Sequence, residues 1–422
     1  MDDPYGSLPS FLGMRNALLG SQGLATLDIP ADTRDLAPFA AGNGGYAVKR
    51  LTLTDFRCYR HQRLEADEGP VVLTGPNGAG KTNLLEGLSF LVPGRGLRRA
   101  KLSDVVHREE GNSAPSGPWG VAATVKSPQG EVEIGTGFEA GQAGGRDKRI
   151  VKVDGQTVKS QAVLAEHLSA LWLTPQMDRL FLEGPGSRRR FLDRLVFDSD
   201  PAHLGRINAY EHALRERMAL LRANGDAAWV ETLEDTMATR GVAVAAARLE
   251  ATRRLGDQLK ESTGAFPRAS VEVAGTVEDW LREGPALAAE DRLRAALAAR
   301  RADDAAEGRA AIGPHRSDLK VLHLGNGRPA ELCSTGEQKA LLVALVLGTA
   351  KMRAYEQGTA PLLLLDEIAA HLDEIRLEAL FDEISGLGAQ VWLTGTDAGL
   401  FAPLAGRAQF FAVNDGTITP QD

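Results

Sequence analysis

The chain has few features that would tie it to a membrane, to an oxidising compartment or to a metal centre. It has only two cysteines, Cys58 and Cys333, in 422 residues. Two cysteines are too few for a disulfide framework and have no metal-ligand spacing, which favours a reducing cytoplasm. The longest uncharged apolar runs, at 341–347 and 362–365, are far shorter than the roughly 20 residues that cross a bilayer. We therefore expect a cytoplasmic protein without a membrane partner.

The chain also lacks an excess of positive charge. Its 48 Lys and Arg face 56 Asp and Glu, for a net charge of −8. Because duplex binding is driven by neutralising phosphates, this balance argues against a general nucleic-acid coat, and any DNA contact must be local. Four basic stretches are candidates, and each is alternatively a solvated face: Lys49, Arg50, Arg57, Arg60 and Arg63; Arg95, Arg98, Arg99 and Lys101; Arg146, Lys148 and Arg149; and Arg188, Arg189 and Arg190. Of these we favour Arg98, Arg99 and Lys101, or Arg188 to Arg190, for DNA contact, and the second group alternatively pairs with acids inside the protein.

Composition divides the chain into segments. Residues 1–45 are rich in Gly, Pro, Ala and Asp without periodicity, and we interpret them as a disordered or loosely attached extension. Residues 46–195 and 310–422 alternate strand-like and helical patterns, with a helix near 161–170 among them. Residues 196–309 are helical in spacing, with one strand at 270–273. We therefore expect one α/β domain interrupted by a helical insertion.

The most informative stretch is VVLTGPNGAGKTNLLEGL at 71–88, which reads as a strand, a glycine turn and a helix start. Its turn matches G-x-x-x-x-G-K-[ST] at Gly75, Pro76, Asn77, Gly78, Ala79, Gly80, Lys81 and Thr82. Glycines let backbone N–H groups surround a phosphate, while Lys81 adds charge and Thr82 offers a hydroxyl to Mg²⁺. A glycine turn that merely connects a strand to a helix has no use for Lys81 or Thr82.

A second signal is the acidic pair Asp366 and Glu367 after the apolar run at 362–365. Such a run predicts a buried central strand, and open α/β sheets place their chemistry at the carboxyl ends of strands. There Asp366 can hold a magnesium shell and Glu367 can polarise a water, the two roles that phosphoanhydride hydrolysis requires.

A third signal is the sequence STGEQ at 334–338, before a long predicted helix. One interpretation is a second anion site formed by Ser334, Gly336 and the helix start. The other is an ordinary capping box, with Ser334 or Thr335 paired to Glu337 or Gln338. One nucleotide does not need two anion-binding helix starts from one subunit, so the first interpretation implies a second subunit.

Taken together, the motifs resemble the heads of ATP-binding-cassette ATPases and, more narrowly, the RecF family of bacterial recombination-repair ATPases. Four stretches carry the narrower resemblance: DFRCY at 55–59, GPGSRRRFLD at 184–193, GPHRSD at 313–318 and STGEQ at 334–338. The resemblance covers residue 46 to the end. It implies an ABC-type P-loop ATPase head with an inserted α-helical lobe.

The resemblance also implies roles for individual residues in a dimer that sandwiches ATP. Glu367 is the general base and Lys81 is catalytic, Thr82, Gln176 and Asp366 surround Mg²⁺, and Arg57 reaches the phosphates. Ser334, Gly336, Glu337 and Gln338 meet the other subunit's ATP, and Asp373 crosses the interface. The implied partners are DNA, single- or double-stranded and at gaps and junctions, together with RecR and RecO, so that RecA loads on single strands.

Three departures from the family pattern are visible. Cys333 stands where the signature usually begins with Leu, Gln176 stands where many relatives have an acid, and 394–397 (TGTD) offers no switch histidine. Because Lys81 and Asp366 must meet at one magnesium, the helical segment between them is an excursion that returns. An excursion of about 115 residues reaches at most about 85 Å as a helical hairpin, which rules out long coiled-coil tethers and favours a compact lobe.

Two alternative functions stay open. One is the energising cassette of a membrane transporter, which the inserted lobe and the missing switch histidine disfavour. The other is a nucleotide-gated scaffold without meaningful hydrolysis. The favoured hypothesis is an ATP-dependent DNA clamp that hydrolyses ATP slowly and is stimulated by DNA, because closure and opening would be its useful steps.

Overall fold

The computed structural model describes residues 45–108, 117–139, 147–197 and 199–421, and the predicted extension at 1–45 lies outside these ranges except for its last residue. The strands in chain order are β1 Ala47–Phe56, β2 Tyr59–Glu65, β3 Val71–Thr74, β4 Gly120–Ser127, β5 Gly130–Glu139, β6 Lys148–Val153, β7 Gln156–Thr157, β8 Ala170–Leu173, β9 Ala269–Ala274, β10 Asp318–His323, β11 Arg328–Pro329, β12 Leu362–Leu365, β13 Val391–Gly395, β14 Gln409–Asn414 and β15 Thr417–Gln421. The α-helices are α1 Lys81–Ser89, α2 Leu164–His167, α3 Pro185–Phe197, α4 His203–Arg222, α5 Ala227–Lys260, α6 Thr276–Glu283, α7 Ala286–Ala299, α8 Arg301–Glu307, α9 Thr335–Gln357 and α10 Glu374–Leu387.

A six-stranded sheet brings the predicted motifs to one edge. Its order is β15-β14-β3-β13-β12-β8, and the strands from β14 to β8 are parallel. Strands β3, β12 and β13 are buried along their length because their apolar side chains suit both covered faces. Since parallel strands end at the same edge, the loops that follow β3, β13, β12 and β8 lie side by side.

A second six-stranded sheet is antiparallel, in the order β2-β1-β4-β5-β6-β7. Its buried residues share a core with Leu84, Leu85 and Leu88 of α1, which therefore packs between the two sheets. The approach is close, because a Cβ on Gly87 would lie 2.7 Å from the side chain of Leu53. The turn between β6 and β7 has positive φ at Asp154 and Gly155, as its Asp-Gly sequence predicts.

The long helix predicted after residue 336 is confirmed as α9. It is buried over most of its length in a core that also contains residues of α3, β8, β12 and α10. The helix ends at Gly358, whose φ of 67° is the left-handed conformation common at helix C-termini. The helix predicted near 161–170 is wrong at its end: helical structure stops at His167, and Ala170 pairs with Leu362 in the parallel sheet.

The segment from α4 to α8 has a hydrophobic core of its own and a buried ionic network. Arg217 donates to Glu234 at 2.9 Å and to Asp304 at 2.8 Å. The predicted strand at 270–273 is present as β9, which pairs with β10. Residues of the C-terminal half of α5 belong to the core that contains α9, so only part of the helical segment is self-contained. The boundaries 46–195, 196–309 and 310–422 remain a prediction.

Across the described ranges, no helix combines the length and the apolar character that crossing a bilayer requires. Cys58 and Cys333 both have free thiols.

A buried glutamine ties the two large sheets together. The Gln390 side chain accepts from the Val48 backbone N–H at 2.8 Å and from the Trp392 indole N–H at 3.0 Å. Its amide nitrogen donates to the carbonyl oxygens of Val48, at 3.1 Å, and of Asp67, at 2.6 Å. One side chain thus satisfies buried polar groups of β1, of β13 and of the loop before β3.

We expect Gln390→Ala to lower the free energy of unfolding by about 2 to 4 kcal/mol, because buried donors and acceptors lose their partners. Urea denaturation followed by circular dichroism measures this change. The matched control is Gln156→Ala in the exposed strand β7, which should change the free energy by less than about 0.5 kcal/mol. Equal effects of the two substitutions would contradict the assigned role.

Candidate functional site

The loop after β3 closes tightly because its glycines occupy positions where other residues do not fit. Gly75 has a φ of 151°, and a Cβ there would lie 2.0 Å from the carbonyl oxygen of Val413. Gly80 has a φ of 118°, and a Cβ there would lie 2.8 Å from both the Cys58 sulfur and the Tyr59 hydroxyl. The Tyr59 hydroxyl donates to the Gly80 carbonyl at 3.0 Å. The backbone is therefore held in the conformation that a phosphate-binding loop needs.

Lys81 is buried inside this loop. Its ammonium group donates to the carbonyl oxygens of Gly75, at 2.6 Å, and of Pro76, at 2.9 Å. Desolvation lowers the pKa of Lys81, while the carboxylates of Glu367 and Asp366 act to raise it. The cation and the acidic pair therefore belong to one electrostatic site. The middle of the loop is formed by Pro76, Asn77 and Gly78, which are exposed, and Ala79, which is buried.

Asp366 joins the loop to the acidic strand end. Its Oδ1 accepts hydrogen bonds from the hydroxyls of Thr82, at 2.9 Å, and Thr394, at 2.8 Å. Burial raises the pKa of Asp366, and the charge of Glu367 raises it further. A hydroxyl and a carboxylate side by side are oxygen ligands of the kind Mg²⁺ takes, and the desolvated carboxylate would gain from a nearby cation. These residues therefore fit a magnesium ion.

Glu367 has a strained backbone conformation. Its φ of 52° lies in the left-handed region, which costs a non-glycine residue free energy and is often found at functional sites. The Glu367 N–H donates to the Thr394 hydroxyl at 2.8 Å, so Thr394 orients both acidic residues. We did not assign Thr394 to the site from the sequence. Its position at the end of a strand beside the acidic strand is the signal that could have found it.

Gln176 lies at the same edge of the sheet. It is an exposed residue of the short 3₁₀ helix Pro175–Arg179, which follows β8. Leu173 at the end of β8 pairs with Leu365, and its carbonyl accepts the Asp366 N–H at 2.9 Å. Gln176, the predicted third member of the magnesium set, therefore lies in the segment that follows β8, next to the loop that carries Asp366.

Arg57 is held by a residue that we did not predict from the sequence. Two of its guanidinium nitrogens donate to the Glu86 carboxylate, each at 2.8 Å. Arg98 donates to the same carboxylate at 3.1 Å, and the Glu86 side chain is fully buried. The two arginines line a cavity of about 510 Å³ together with Asn83 and other residues. An acidic residue on the apolar face of α1 was the available signal.

The STGEQ motif forms the start of α9, and the capping-box interpretation is confirmed. The Ser334 hydroxyl accepts from the Glu337 N–H, and the Glu337 carboxylate accepts from the Ser334 N–H at 2.8 Å. This backbone hydrogen bond lowers the pKa of Glu337. Gln338 is buried and donates to the carbonyl oxygens of Ala330 and Cys333. The other interpretation, that Ser334 and Gly336 form an anion site, stays a prediction.

The structure therefore brings part of the predicted set together. Lys81, Thr82, Asp366 and Glu367 form one cluster, and Gln176 begins the adjacent loop. The motif at 334–338 makes its hydrogen bonds within its own loop and helix. Asp373 accepts from the Arg376 N–H at 2.9 Å and caps α10. These two segments lie on elements other than the phosphate loop, and their predicted contacts are with a second subunit.

Comparisons with known proteins agree with this geometry. The family model of the RecF/RecN/SMC N terminal domain matches residues 47–419. The DNA replication and repair protein RecF of Mesorhizobium japonicum is 48% identical over 379 residues, which are 89% of this chain and 98% of that protein. The Agrobacterium fabrum protein of the same name is 49% identical over 376 residues, which are 88% of this chain and 98% of the Agrobacterium protein.

A solved structure gives the same answer for the fold. The recombination mediator protein RecF with ATPrS, of the RecFOR pathway, has a TM-score of 0.78 at 24% identity and covers 90% of this chain and 99% of that chain. The predicted α/β fold of an ABC-type ATPase head is confirmed by this match and by the family model.

The raised pKa of Asp366 predicts a pH-dependent gain in stability for Asp366→Asn. Ionising this carboxyl costs free energy in the folded protein. The loss of stability is absent at pH values below the ordinary carboxyl pKa, and it is complete at pH values above the raised pKa of Asp366. An amide removes the cost and keeps an oxygen for the Thr82 and Thr394 hydroxyls. In buffer with a chelator, we expect the variant to melt at a higher temperature than the parent at neutral pH.

The difference in melting temperature should shrink as the pH is lowered toward about 4, where the parent carboxyl becomes protonated. The control is Asp382→Asn on the exposed side of α10, which should leave the melting curves unchanged. If the Asp366→Asn variant melts at or below the melting temperature of the parent at every pH, the charge of Asp366 does not destabilise the folded protein.

Proposed function

This chain belongs to the RecF family, and from that premise we propose that it is an ATP-dependent DNA-binding protein of recombination repair in the cytoplasm. It binds ATP with Mg²⁺, dimerises in the ATP-bound state, and binds DNA at gaps or at junctions of single and double strands. There it helps to load recombinase on single-stranded DNA. Relatives are named as DNA replication and repair proteins, and a structurally similar RecF carries ATP in a solved structure.

One observation carries the ATP-binding part of the proposal. The hydrogen bond of 2.9 Å between Thr82 and Asp366 joins the phosphate loop to the acidic strand end. Two motifs far apart in sequence thus form one site, with the buried ammonium of Lys81 beside them. A cation at the loop, a hydroxyl and a carboxylate form the set that P-loop hydrolases use for nucleoside triphosphates.

The residues of the site divide the work of hydrolysis. Lys81 and the backbone N–H groups from Asn77 to Thr82 bind and orient the phosphates, and Thr82 and Asp366, with Gln176, would hold Mg²⁺. The ion would supply charge neutralisation at the phosphate oxygens. Glu367 accepts the proton of the attacking water, and Arg57, oriented by Glu86, neutralises charge on the phosphates. Thr394 fixes the backbone of Glu367.

The dimer is proposed because the STGEQ motif begins α9, away from the phosphate loop, and one nucleotide does not need two anion-binding helix starts from one subunit. The N–H groups of Thr335 and Gly336 in the first turn of α9 have no acceptor within the helix, whereas the N–H of Ser334 donates to Glu337. In the proposed sandwich this helix start meets the ATP of the other subunit, and Asp373 crosses the interface. Hydrolysis is slow and stimulated by DNA, and opening of the dimer is the useful step. RecR and RecO are the proposed protein partners.

Glu367→Gln should accumulate an ATP-bound dimer, because the amide keeps the size of the side chain but cannot accept the proton of the attacking water. Light scattering after size-exclusion chromatography, with ATP or ADP and Mg²⁺, measures the mass. We expect a dimer with ATP and a monomer with ADP. The exposed substitution Glu261→Gln should behave as the parent. A variant that stays monomeric with ATP at micromolar concentration would refute the sandwich.

Lys81→Ala should abolish ATP-induced dimerisation as well as hydrolysis, because the phosphate loop loses its buried cation. We expect at least a tenfold loss of ATP affinity, since a charge-assisted hydrogen bond to a phosphate contributes about 1.5 to 3 kcal/mol. Isothermal titration with a slowly hydrolysed ATP analogue measures the affinity. The exposed substitution Lys260→Ala on α5 should change neither property. If the Lys81→Ala variant dimerised normally with ATP, dimerisation would not depend on nucleotide binding at this site.

A further inference from the structure

The first turn of α9 is exposed, while most of the helix that follows is buried. Ser334, Thr335 and Gly336 are exposed to solvent. Most residues from Gln338 to Ala354 are buried, and the apolar ones belong to the core that also contains α3, β8, β12 and α10. Packing of apolar side chains therefore fixes the body of the helix. The position of its first turn depends on polar contacts with the neighbouring segments.

Two amide side chains tie the loop before α9 to the helix. Gln338 donates to the carbonyl oxygens of Ala330, at 3.0 Å, and of Cys333, at 3.1 Å. Asn326, in the turn between β10 and β11, donates to the Glu337 carboxylate at 2.9 Å. Together with the capping box, these hydrogen bonds give the turn at 334–338 a fixed local shape. They do not relate this turn to the nucleotide site of the same subunit.

An ion pair joins the start of α9 to the segment that carries Gln176. The Lys339 ammonium group lies 3.2 Å from the Asp178 carboxylate, and the two side chains are 18% and 17% exposed. Asp178 follows Gln176 by two residues in the 3₁₀ helix Pro175–Arg179. Met177, which lies between them, packs against the core that also contains α9. Gln176 and Asp178 thus belong to one short, anchored segment.

Helix α10 also borders the first turn of α9. A Cβ on Gly336 would lie 4.0 Å from Nη1 of Arg376 in the first turn of α10. Arg376 also pairs with Asp373, at 3.2 Å. The first turn of α9 is therefore bordered by the segments that follow β8 and β12, which carry the predicted magnesium ligands Gln176 and Asp366.

The two contacts differ in kind. The contact of Gly336 with Arg376 is at van der Waals distance, whereas Lys339 and Asp178 form a charged contact that depends on the side chains at both ends. A single ion pair that is still partly exposed to water contributes little to global stability. The 23-residue helix α9 keeps its buried apolar face without it. The ion pair is therefore better suited to setting a position than to holding the fold.

We propose that Lys339 and Asp178 are positioning residues for ATP-dependent dimerisation. Their ion pair holds the first turn of α9, with the N–H groups of Thr335 and Gly336, against the segment of Gln176 in the same subunit. This inference rests on the proposed function, since that function assigns the first turn of α9 to the ATP of the other subunit. In this role the pair governs association and leaves unchanged the binding of a nucleotide to the subunit's own phosphate loop.

Hydrogen-bond geometry explains why such positioning matters. An N–H···O bond is formed at donor–acceptor distances up to about 3.2 Å, so a shift of the first turn by about 1 Å would lose the bonds to a phosphate of the partner subunit's ATP. Because the proposed sandwich is two-fold symmetric, each dimer contains the ion pair twice. Both losses then contribute to the dissociation constant of the dimer.

The test measures dimerisation and nucleotide binding separately in the full chain. The parent and all variants carry Glu367→Gln, so that bound ATP is not consumed. Sedimentation velocity over a series of protein concentrations, with ATP and Mg²⁺, gives the dissociation constant of the dimer. For Lys339→Gln we expect this constant to rise at least about fivefold, the lower end of the coupling seen between sites in proteins. The affinity for ADP, measured by isothermal titration on the monomer, should match that of the parent.

Three further variants make the result specific. Lys351→Gln removes the same charge from the same helix, where Lys351 pairs with Glu383 of α10 at 2.9 Å, and it should dimerise as the parent does. The exchange of Asp178→Lys with Lys339→Asp restores an attraction in the opposite sense and should recover most of the dimerisation that Lys339→Gln loses. Asp178→Asn removes the pair from its other end and should weaken dimerisation as Lys339→Gln does. Circular dichroism verifies that each variant folds.

The outcomes separate the ion pair from the proposed sandwich. If the parent dimerises with ATP and Lys339→Gln dimerises equally well, the positioning role is wrong and the sandwich stands. An equal loss in Lys351→Gln, or a loss of ADP affinity in Lys339→Gln, also overturns the role, because a general effect of charge or of nucleotide binding would then explain the result. If the parent itself stays monomeric with ATP, the sandwich fails.

The exchange variant decides whether the pairing itself matters. If it folds and does not recover dimerisation, the role of the ion pair is overturned. If it does not fold, Asp178→Asn decides, and parental dimerisation of that variant would overturn the role in the same way.

Discussion

The hydrogen bond between Thr82 and Asp366 depends on a constraint that governs the whole chain: parallel strands end at the same edge of a sheet. Strand β3 and strand β12 are separated by most of the protein, yet both border β13 and end beside it. The loop of one and the acidic end of the other must therefore meet. The helical segment between them is free to vary in length as long as the chain returns to the sheet.

Around this meeting point, single buried polar side chains fix the loops that the sheet leaves open. Glu86 on α1 holds both Arg57 and Arg98, Thr394 orients Asp366 and Glu367, and Gln390 ties β1 to β13. Each of these side chains satisfies several hydrogen bonds away from water, where an unmatched group is costly. The site is therefore preorganised around its cation and acids. The strained φ of Glu367 is sustained by the same contacts.

The charge distribution follows the same division between interior and surface. Several basic residues that looked available in the sequence are used inside the fold, as Arg188 is by Asp318 and Arg98 by Glu86. Burial makes such pairing necessary, because a guanidinium without a partner loses its hydration. The arginines that remain exposed, such as Arg95 and Arg190, come from different segments of the chain.

The sequence by itself determined the phosphate loop, the acidic strand end, the α/β fold and the family, because each depends on residue types at short, fixed spacing. The spacing from Gly75 to Thr82 favours a phosphate cradle between a strand and a helix, and the four leucines before Asp366 favour a buried strand. Only the tertiary structure decided which long-range partners meet: that Thr394 and Glu86 serve the site, that STGEQ forms a capping box, and that Arg188 pairs with Asp318. Such contacts join residues far apart in the chain, and their geometry arises from packing that no local pattern encodes.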